Sequence, residues 1–206
     1  MFAQLDEGLH MKHFYATLVV IAAVIGMGSV SLAFANQDSP KAAPSAPNLS
    51  GLHDFDFFVG TWRAHHRKLK ERLAGSHDWV EFDGTLTMHE LMNGHANEDE
   101  SIFNVPGGAY RGVTLRAYDD VTGQWAIWWL DGRMPFAPLD PPVKGRFING
   151  VGVFYSDDTL RGKPVKVRFT WSNISSTTAH WEQAFSGDGG KTWETNWTTD
   201  FTRTGS

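Results

Sequence analysis

Histidine paired with a carboxylate is the combination in this sequence best suited to acid–base chemistry, and His66 is the central candidate. It follows His65 on the first predicted strand. Adjacent side chains of a strand point to opposite faces, so only one of the two can point inward. If Trp62 points inward, so does His66. An inward histidine is either a hydrogen-bonded core residue or, with an inward carboxylate such as Glu100 or Asp131, an acid–base pair.

The spacing of the remaining histidines argues against a zinc site. Beyond residue 50 they show no H-x-H, H-x-x-H or H-E-x-x-H pattern, and the chain has no cysteine. We therefore predict no metal site and no resident cofactor. Haem bound inside a barrel is an alternative, for which His66 is the one inward axial candidate.

Aromatic residues are in excess, with nine tryptophans in the chain. Core packing accounts for most of them, and the rest can line a pocket, because ligand sites are largely apolar with a few polar groups. Taking the faces of Trp129 and Trp181 as inward adds Asp131 and Gln183. The predicted ligand site is therefore His66, Trp129, Asp131, Trp181 and Gln183, covered by the proline-rich loop 135–142. Other polar residues that fit either a pocket or a solvated outer face are Glu98, Glu100, Arg133 and Glu182.

The body of the chain alternates apolar and polar residues with a period of two, as in Val165-x-Val167-x-Phe169-x-Trp171. This pattern is typical of β-strands. Their length suits a tilted barrel of about nine to ten strands, although an antiparallel sandwich fits the same pattern. The predicted strands lie near 61–70, 78–90, 95–103, 109–118, 123–131, 144–155, 164–172, 177–186 and 192–203, with turns at Gly107-Gly108, Asp119-Asp120, Asn149-Gly150 and Asp157-Asp158.

Two short stretches favour closure of the barrel. Gly60-x-Trp62 opens the first predicted strand, and Arg203 lies on the last one. This combination resembles the mark shared by lipocalin-like (calycin) β-barrels, in which a basic residue covers the tryptophan at the closed end. The resemblance implies contact between Trp62 and Arg203. It carries no ligand or activity with it.

A turn motif precedes the last strand. Ser186-Gly-Asp188-Gly-Gly-Lys-Thr192-Trp193 matches the Asp-box of sialidase propellers at every fixed position. One box in a chain of this length cannot build a propeller. We therefore predict a structural turn, in which Asp188 accepts backbone N–H groups and Trp193 packs beneath the hairpin.

A longer resemblance covers about residues 52–203. It rests on Phe55-x-Phe-x-Val-Gly-Thr-Trp62, on Trp125-x-Ile-Trp-Trp-Leu-Asp131, and on the segment from Trp181 to Glu194. The chain is similar in these stretches to a bacterial family of small proteins known only as an uncharacterised domain. The resemblance implies a lipocalin-like barrel and supplies no activity.

The N-terminus has the pattern of an export signal. Lys12 begins it, residues 14–32 are almost entirely apolar, and Ala33-Phe34-Ala35 suits a cleavage site. We predict a signal peptide over residues 1–35, with its natural start at Met1 or Met11. The mature protein is then periplasmic or secreted. The alternative is an uncleaved membrane anchor, because the apolar run is long enough to span a bilayer.

The mature chain is then one domain. Residues 36–51 are polar and proline-rich and predict a flexible linker, and residues 52–206 suffice for one barrel. A net charge of −5 without a basic cluster predicts no nucleic-acid partner, and a cleaved signal leaves no stable membrane partner. Two functions remain open: a binding protein for a small hydrophobic or amphiphilic molecule, or an enzyme using His66.

Overall fold

The computed structural model describes residues 46–205. The predicted signal segment and most of the predicted linker therefore lie outside the described residues. Within them, no helix has the length and apolar character needed to cross a membrane. One 3-10 turn, Asp56–Phe58, precedes ten strands: β1 (Gly60–Leu69), β2 (Trp79–Leu91), β3 (Ala96–Phe103), β4 (Tyr110–Asp119), β5 (Gln124–Asp131), β6 (Val143–Ile148), β7 (Val151–Leu160), β8 (Lys163–Ser172), β9 (Thr178–Ser186) and β10 (Glu194–Gly205).

The ten strands form one closed antiparallel barrel. Each strand pairs with its neighbours in sequence, and β1 closes the barrel by pairing with β10. The all-β barrel prediction is thereby confirmed, and the sandwich alternative is wrong. Within the described residues every strand has a neighbour on both sides, although β5 and β6 pair only over residues 125–127 and 143–145. A closed barrel reduces the exposed strand edges at which sheets aggregate.

Two predicted boundaries differ from the structure. The segment predicted as one strand near 144–155 is the hairpin of β6 and β7, which turns at the predicted Asn149-Gly150. The turn predicted at Asp157-Asp158 is wrong, because both residues lie within β7 and pair with β8. The chain turns instead at Arg161-Gly162, where both residues have positive φ. Paired aspartates are common in turns, but here the register with β8 overrides that preference.

An aromatic cluster fills one end of the barrel. Phe55 and Phe58, from the segment before β1, pack with Trp62, Trp125 and Trp171 and are almost fully buried. The rings of Phe55 and Phe58 contact side chains of β1, β5, β8 and β10. We call this end the closed end.

Gly60 and Arg203 shape the junction at the closed end. Gly60 has φ of 112°, a conformation that side-chain-bearing residues avoid, and it turns the chain into β1. The Arg203 guanidinium carbon lies 4.3 Å from the centre of the Trp62 ring, within the usual limit of about 6 Å for a cation–π contact. Arg203 also donates to the carbonyl oxygens of Val59 at 2.6 Å and of Phe57.

Contacts with the barrel begin before the predicted domain start at residue 52. The Asn48 carbonyl accepts a hydrogen bond from the Tyr118 hydroxyl at 2.8 Å, and the Gly51 carbonyl accepts one from Trp125 Nε1 at 2.9 Å. These bonds hold the last residues of the predicted linker against the closed end.

The turn between β9 and β10 is organised by one carboxylate. Asp188 accepts hydrogen bonds from the backbone N–H groups of Lys191 and Thr192, each at 3.0 Å, and from the hydroxyls of Ser186 and Thr192. These bonds, led by that from the Thr192 hydroxyl, hold the pKa of Asp188 well below its usual value. Trp193 is half-buried beside this turn and donates to the Gly190 carbonyl.

Candidate functional site

The barrel interior contains a cavity of about 100 Å³, between the closed-end cluster and the open end. The strand alternation places its lining side chains, since every second residue of each strand points inward. Its apolar wall is mainly aromatic and includes Phe103, Trp129, Phe169, Trp171, Trp181 and Trp197. Its polar residues include His66, Asp99, Ser101, Arg116, Gln183 and Thr199.

Four of the five residues predicted as a ligand site line this cavity together: His66, Trp129, Trp181 and Gln183. Asp131 is also fully buried, but it does not line the cavity. Its carboxylate forms an ion pair with Arg133 at 2.7 Å near the open end. Burial raises the pKa of Asp131, but the hydrogen bonds from Arg133 outweigh that effect and hold the pKa below its usual value.

His66 is held by two hydrogen-bonding neighbours. Its Nδ1 lies 2.8 Å from the Thr199 hydroxyl and 3.4 Å from Trp197 Nε1. Because an indole N–H can only donate, Nδ1 must be the acceptor, and the imidazole proton is on Nε2. Burial lowers the pKa of His66 to about 3. The imidazole is therefore neutral at physiological pH.

The His66 ring is also enclosed on its faces. It stacks on Phe82 with ring centres 4.8 Å apart and packs against Phe103 at 5.1 Å. A side chain added at Gly84 would lie 3.1 Å from His66 Nε2, so the glycine makes room for the ring. A neutral, enclosed imidazole whose Nδ1 lone pair is already used suits packing better than proton transfer or haem ligation.

We expect acidification to destabilise the barrel through His66. The unfolded chain takes up a proton near pH 6.5, whereas the folded chain resists protonation down to about pH 3. The contribution of neutral His66 to the free energy of unfolding is therefore complete above pH 6.5. It falls by about 1.4 kcal/mol per pH unit as the pH drops from 6.5 to about 3. Urea unfolding of the wild type and of His66→Gln between pH 7 and pH 4 measures the difference.

His180→Gln is the matched control, because its pKa moves in the opposite direction. Burial alone would lower the pKa of His180, but its hydrogen bonds to Asp200 and Glu182 raise it. The contribution of protonated His180 to the free energy of unfolding is therefore present below pH 6.5 and is lost as the pH rises through the raised pKa. If the free energy of unfolding fell with pH equally in the wild type and in His66→Gln, a buried neutral His66 would be contradicted.

The inward carboxylate predicted at Glu100 is wrong. Glu100 faces outward and forms an exposed ion pair with Arg111 at 2.9 Å. The neighbouring Asp99 faces inward instead and is fully buried. It pairs with Arg116, whose guanidinium lies 2.7 Å from the Asp99 carboxylate. The cavity therefore contains a buried ion pair that the sequence analysis missed.

Further hydrogen bonds surround this ion pair. Arg116 Nη1 donates to Asn97 Oδ1 at 3.1 Å, and the Ser101 hydroxyl donates to Asp99 Oδ1 at 3.3 Å. The Arg116 guanidinium also lies 5.0 Å from the Phe55 ring centre. The ion pair thus sits where the polar part of the cavity meets the aromatic closed end, and it gives the cavity a polar inner end without net charge.

A glycine makes space for Trp129 in the wall. A Cβ atom at Gly112 would lie 2.0 Å from Trp129 Cη2, so the indole rests directly on the backbone of β4. A glycine inside a strand often marks such a close approach. This contact fixes the position of Trp129, one of the four predicted residues in the cavity.

The open end is bordered by Lys68, Tyr110 and Trp197. Lys68 Nζ lies 4.7 Å from the Trp197 ring centre, and the Arg133 guanidinium covers the Tyr110 ring at 4.0 Å. Burial raises the pKa of Tyr110 to about 12, so its hydroxyl stays protonated. Among the described residues that line the cavity, none belongs to the loop 135–142, which was expected to cover it, and Phe136 in that loop is fully exposed.

No group of three or more metal-ligating side chains occurs within residues 46–205. Polar side chains of the cavity form contacts within the protein. Asp99 forms an ion pair with Arg116, and Gln183 donates a hydrogen bond to Asn196 Oδ1 at 2.8 Å. The arrangement can therefore hold a small molecule by apolar contact and hydrogen bonding.

These features define a class, the ten-stranded antiparallel β-barrel with a small aromatic cavity. No protein-family model matches the chain, and no curated protein is similar to it. Among solved structures, the barrel is similar to the S-type phycobiliprotein lyase CPES from Guillardia theta, with a TM-score of 0.52 and 11% sequence identity. The match covers 74% of this chain and 91% of the lyase chain. At this identity the likeness concerns the fold.

Proposed function

We propose that this protein is an exported barrel that binds a small hydrophobic or amphiphilic molecule. The observation that carries the proposal is the buried cavity, whose aromatic wall is interrupted by a few fixed polar groups. Ligand sites have this composition. The similar barrel of a phycobiliprotein lyase is consistent with a small-molecule partner.

An enzymatic role for His66 has less support. The two carboxylates considered as its partners are both committed elsewhere, Glu100 to Arg111 on the outer face and Asp131 to Arg133 at the open end. His66 itself hydrogen-bonds Thr199. Binding without chemistry is the function that the geometry supports best.

Native mass spectrometry of freshly purified protein tests the binding function. We expect a bound small molecule on the wild type and its loss in Thr114→Phe, which places a ring in the cavity. Thr85→Phe on the outer face is the matched control and should retain the ligand. A ligand-free wild type that also takes up no added aromatic compound would refute the proposal.

Export rests on the pattern from Lys12 to Ala35. We expect the mature chain to begin at Asn36, because cleavage follows small residues at the end of an apolar segment. Intact-mass measurement of protein from the periplasm or medium tests this. Full-length protein recovered only from membranes would support the uncleaved anchor instead.

A further inference from the structure

A second pocket lies at the closed end, apart from the barrel cavity. Its volume is about 390 Å³, within the usual range for small-molecule sites. Among the described residues, none lines both the pocket and the barrel cavity. The pocket is formed by the segment before β1, the β6–β7 hairpin and the β8–β9 loop, through His53, Asp54, Phe57, Phe147, Asn149, Gly150 and Ile174. The binding function proposed above does not involve it.

Two aromatic rings form the apolar part of this pocket. Phe57 and Phe147 have ring centres 6.3 Å apart and ring planes inclined at 72°. Both are packed against the buried core, and Phe147 also rests on the backbone of Gly152, where a Cβ atom would lie 2.7 Å from the ring. The rings are therefore held in place by the protein. Two rings inclined in this way can contact one organic cation together.

The carboxylate of Asp54 gives the pocket negative charge. It forms no ion pair within residues 46–205. Burial raises the pKa of Asp54, the backbone N–H of Phe147 partly opposes this, and the nearby charge of Asp56 adds to the rise. A cation bound beside this carboxylate would therefore stabilise its charged form.

The position of Asp54 is fixed by the turn that carries it. Its backbone N–H donates to the Gly51 carbonyl at 3.1 Å. The same carbonyl accepts the hydrogen bond from Trp125 Nε1, which is fully buried in the closed-end cluster. The carboxylate is thus attached to the barrel through a short, hydrogen-bonded segment, and a ligand would meet a site that is already formed.

The lining also indicates the kind of cation. An inorganic cation such as Ca²⁺ needs six or more oxygen ligands, and residues 46–205 contain no group of three metal-ligating side chains. A primary ammonium has three N–H donors that each seek an acceptor, whereas the described lining offers side-chain oxygens only from Asp54 and Asn149. A quaternary ammonium has no N–H group, and its methyl groups pack on aromatic rings.

We propose that this pocket binds a small quaternary ammonium ion of the choline type. Its methyl groups contact Phe57 and Phe147, and its positive charge lies beside Asp54. The described lining contains neither lysine nor arginine, so the site suits a free ammonium ion better than one that carries a phosphate.

Probes of matched shape test the site in the full chain by NMR titration. They are choline, 3,3-dimethylbutan-1-ol, in which carbon replaces the charged nitrogen, and ethanolamine, which lacks the methyl groups. We expect choline to bind about tenfold more tightly than either of the others, because only choline combines the charge with methyl contacts. The backbone amide resonance of Gly150 should move with choline. Phosphocholine should bind more weakly than choline.

Asp54→Asn keeps the shape of the side chain and removes its charge. The preference for choline over 3,3-dimethylbutan-1-ol should then fall to about threefold, the share that the aromatic rings supply. Glu100→Gln is the matched control, because it removes one negative charge from the outer face of β3, and it should keep the tenfold preference.

Several results would overturn the inference. They are equal binding of choline and 3,3-dimethylbutan-1-ol, an unchanged preference in Asp54→Asn, tightest binding of ethanolamine, or no effect of choline at millimolar concentration. Tightest binding of phosphocholine would overturn it as well, since it would assign the pocket to a phosphate-bearing headgroup. Each of these results leaves the binding function of the barrel cavity in place, because the two sites share no described lining residue.

Discussion

Replacing Asp99 by Leu should lower the free energy of unfolding by about 3–5 kcal/mol, because it leaves the Arg116 guanidinium buried without its counter-ion. Arg116 is 3% exposed, and its guanidinium also donates a hydrogen bond to Asn97 Oδ1. Asp99 supplies the one carboxylate among the described residues that line the cavity. Urea unfolding followed by tryptophan fluorescence measures the loss.

The neighbouring ion pair of β3 and β4 provides an internal control. Glu100 and Arg111 lie on the same two strands at a similar distance of 2.9 Å, but they are more than half exposed. Glu100→Leu should therefore cost less than about 1 kcal/mol. The double variant Asp99→Leu with Arg116→Met should recover most of the lost stability, since it removes both buried charges. Equal losses for Asp99→Leu and Glu100→Leu would contradict a buried charged pair.

The period-two pattern predicted an all-β domain, and Gly60-x-Trp62 together with Arg203 favoured a closed barrel over a sandwich. The inward face of β1 follows from Trp62, and that of β5 and β9 from Trp129 and Trp181. These assignments bring His66 and Gln183 into one cavity. Side chains alternate between the two faces along a strand, so the inward face can be predicted from the local sequence once one inward residue is known.

The Asp99–Arg116 ion pair was missed for a physical reason. The middle of β3 reads Asn97-Glu-Asp-Glu-Ser101, so polarity cannot distinguish its inner from its outer face. Counting back in steps of two from the aromatic Phe103 would have selected Asp99. The position of Arg116 beside it depends on the register in which Asn97 pairs with Arg116, and that register is set by the turn geometry between β3 and β4.

The inward-facing residues of β10 could also not be predicted from the local sequence. Its pairing with β9 shifts between Thr195 and Trp197, and such a bulge changes which residues face inward. Because of it, Asn196 is buried and accepts the hydrogen bond from Gln183, while Trp197 and Thr199 both reach His66. No sequence signal marks a bulge at this position, so the partners of His66 could not be assigned in advance.

Replacing Trp62 by Ala should destabilise the barrel by about 3–5 kcal/mol, the cost of removing a large aromatic side chain from a packed core. Trp62 is fully buried, its ring centre lies 5.1 Å from that of Phe58, and its Nε1 donates to the Phe58 carbonyl at 2.8 Å. The substitution opens a void between β1 and the segment that fills the closed end. Chemical unfolding at pH 7 measures the loss.

A double-mutant cycle with Arg203→Met separates the cation–π contact from simple packing. Arg203 also donates hydrogen bonds to the Val59 and Ser176 carbonyls, and neither bond involves the indole. The coupling between the two substitutions therefore reports the contact of Arg203 with the Trp62 ring. We expect a coupling free energy of about 1–2 kcal/mol.

Trp193→Ala, at the half-buried turn outside the barrel, is the matched control for loss of an indole and should lower the free energy of unfolding clearly less than Trp62→Ala. If Arg203→Met lowered the free energy of unfolding by the same amount in the wild type and in Trp62→Ala, there would be no coupling across the 4.3 Å contact with the ring. Arg203 would then stabilise the closed end through its carbonyl contacts alone.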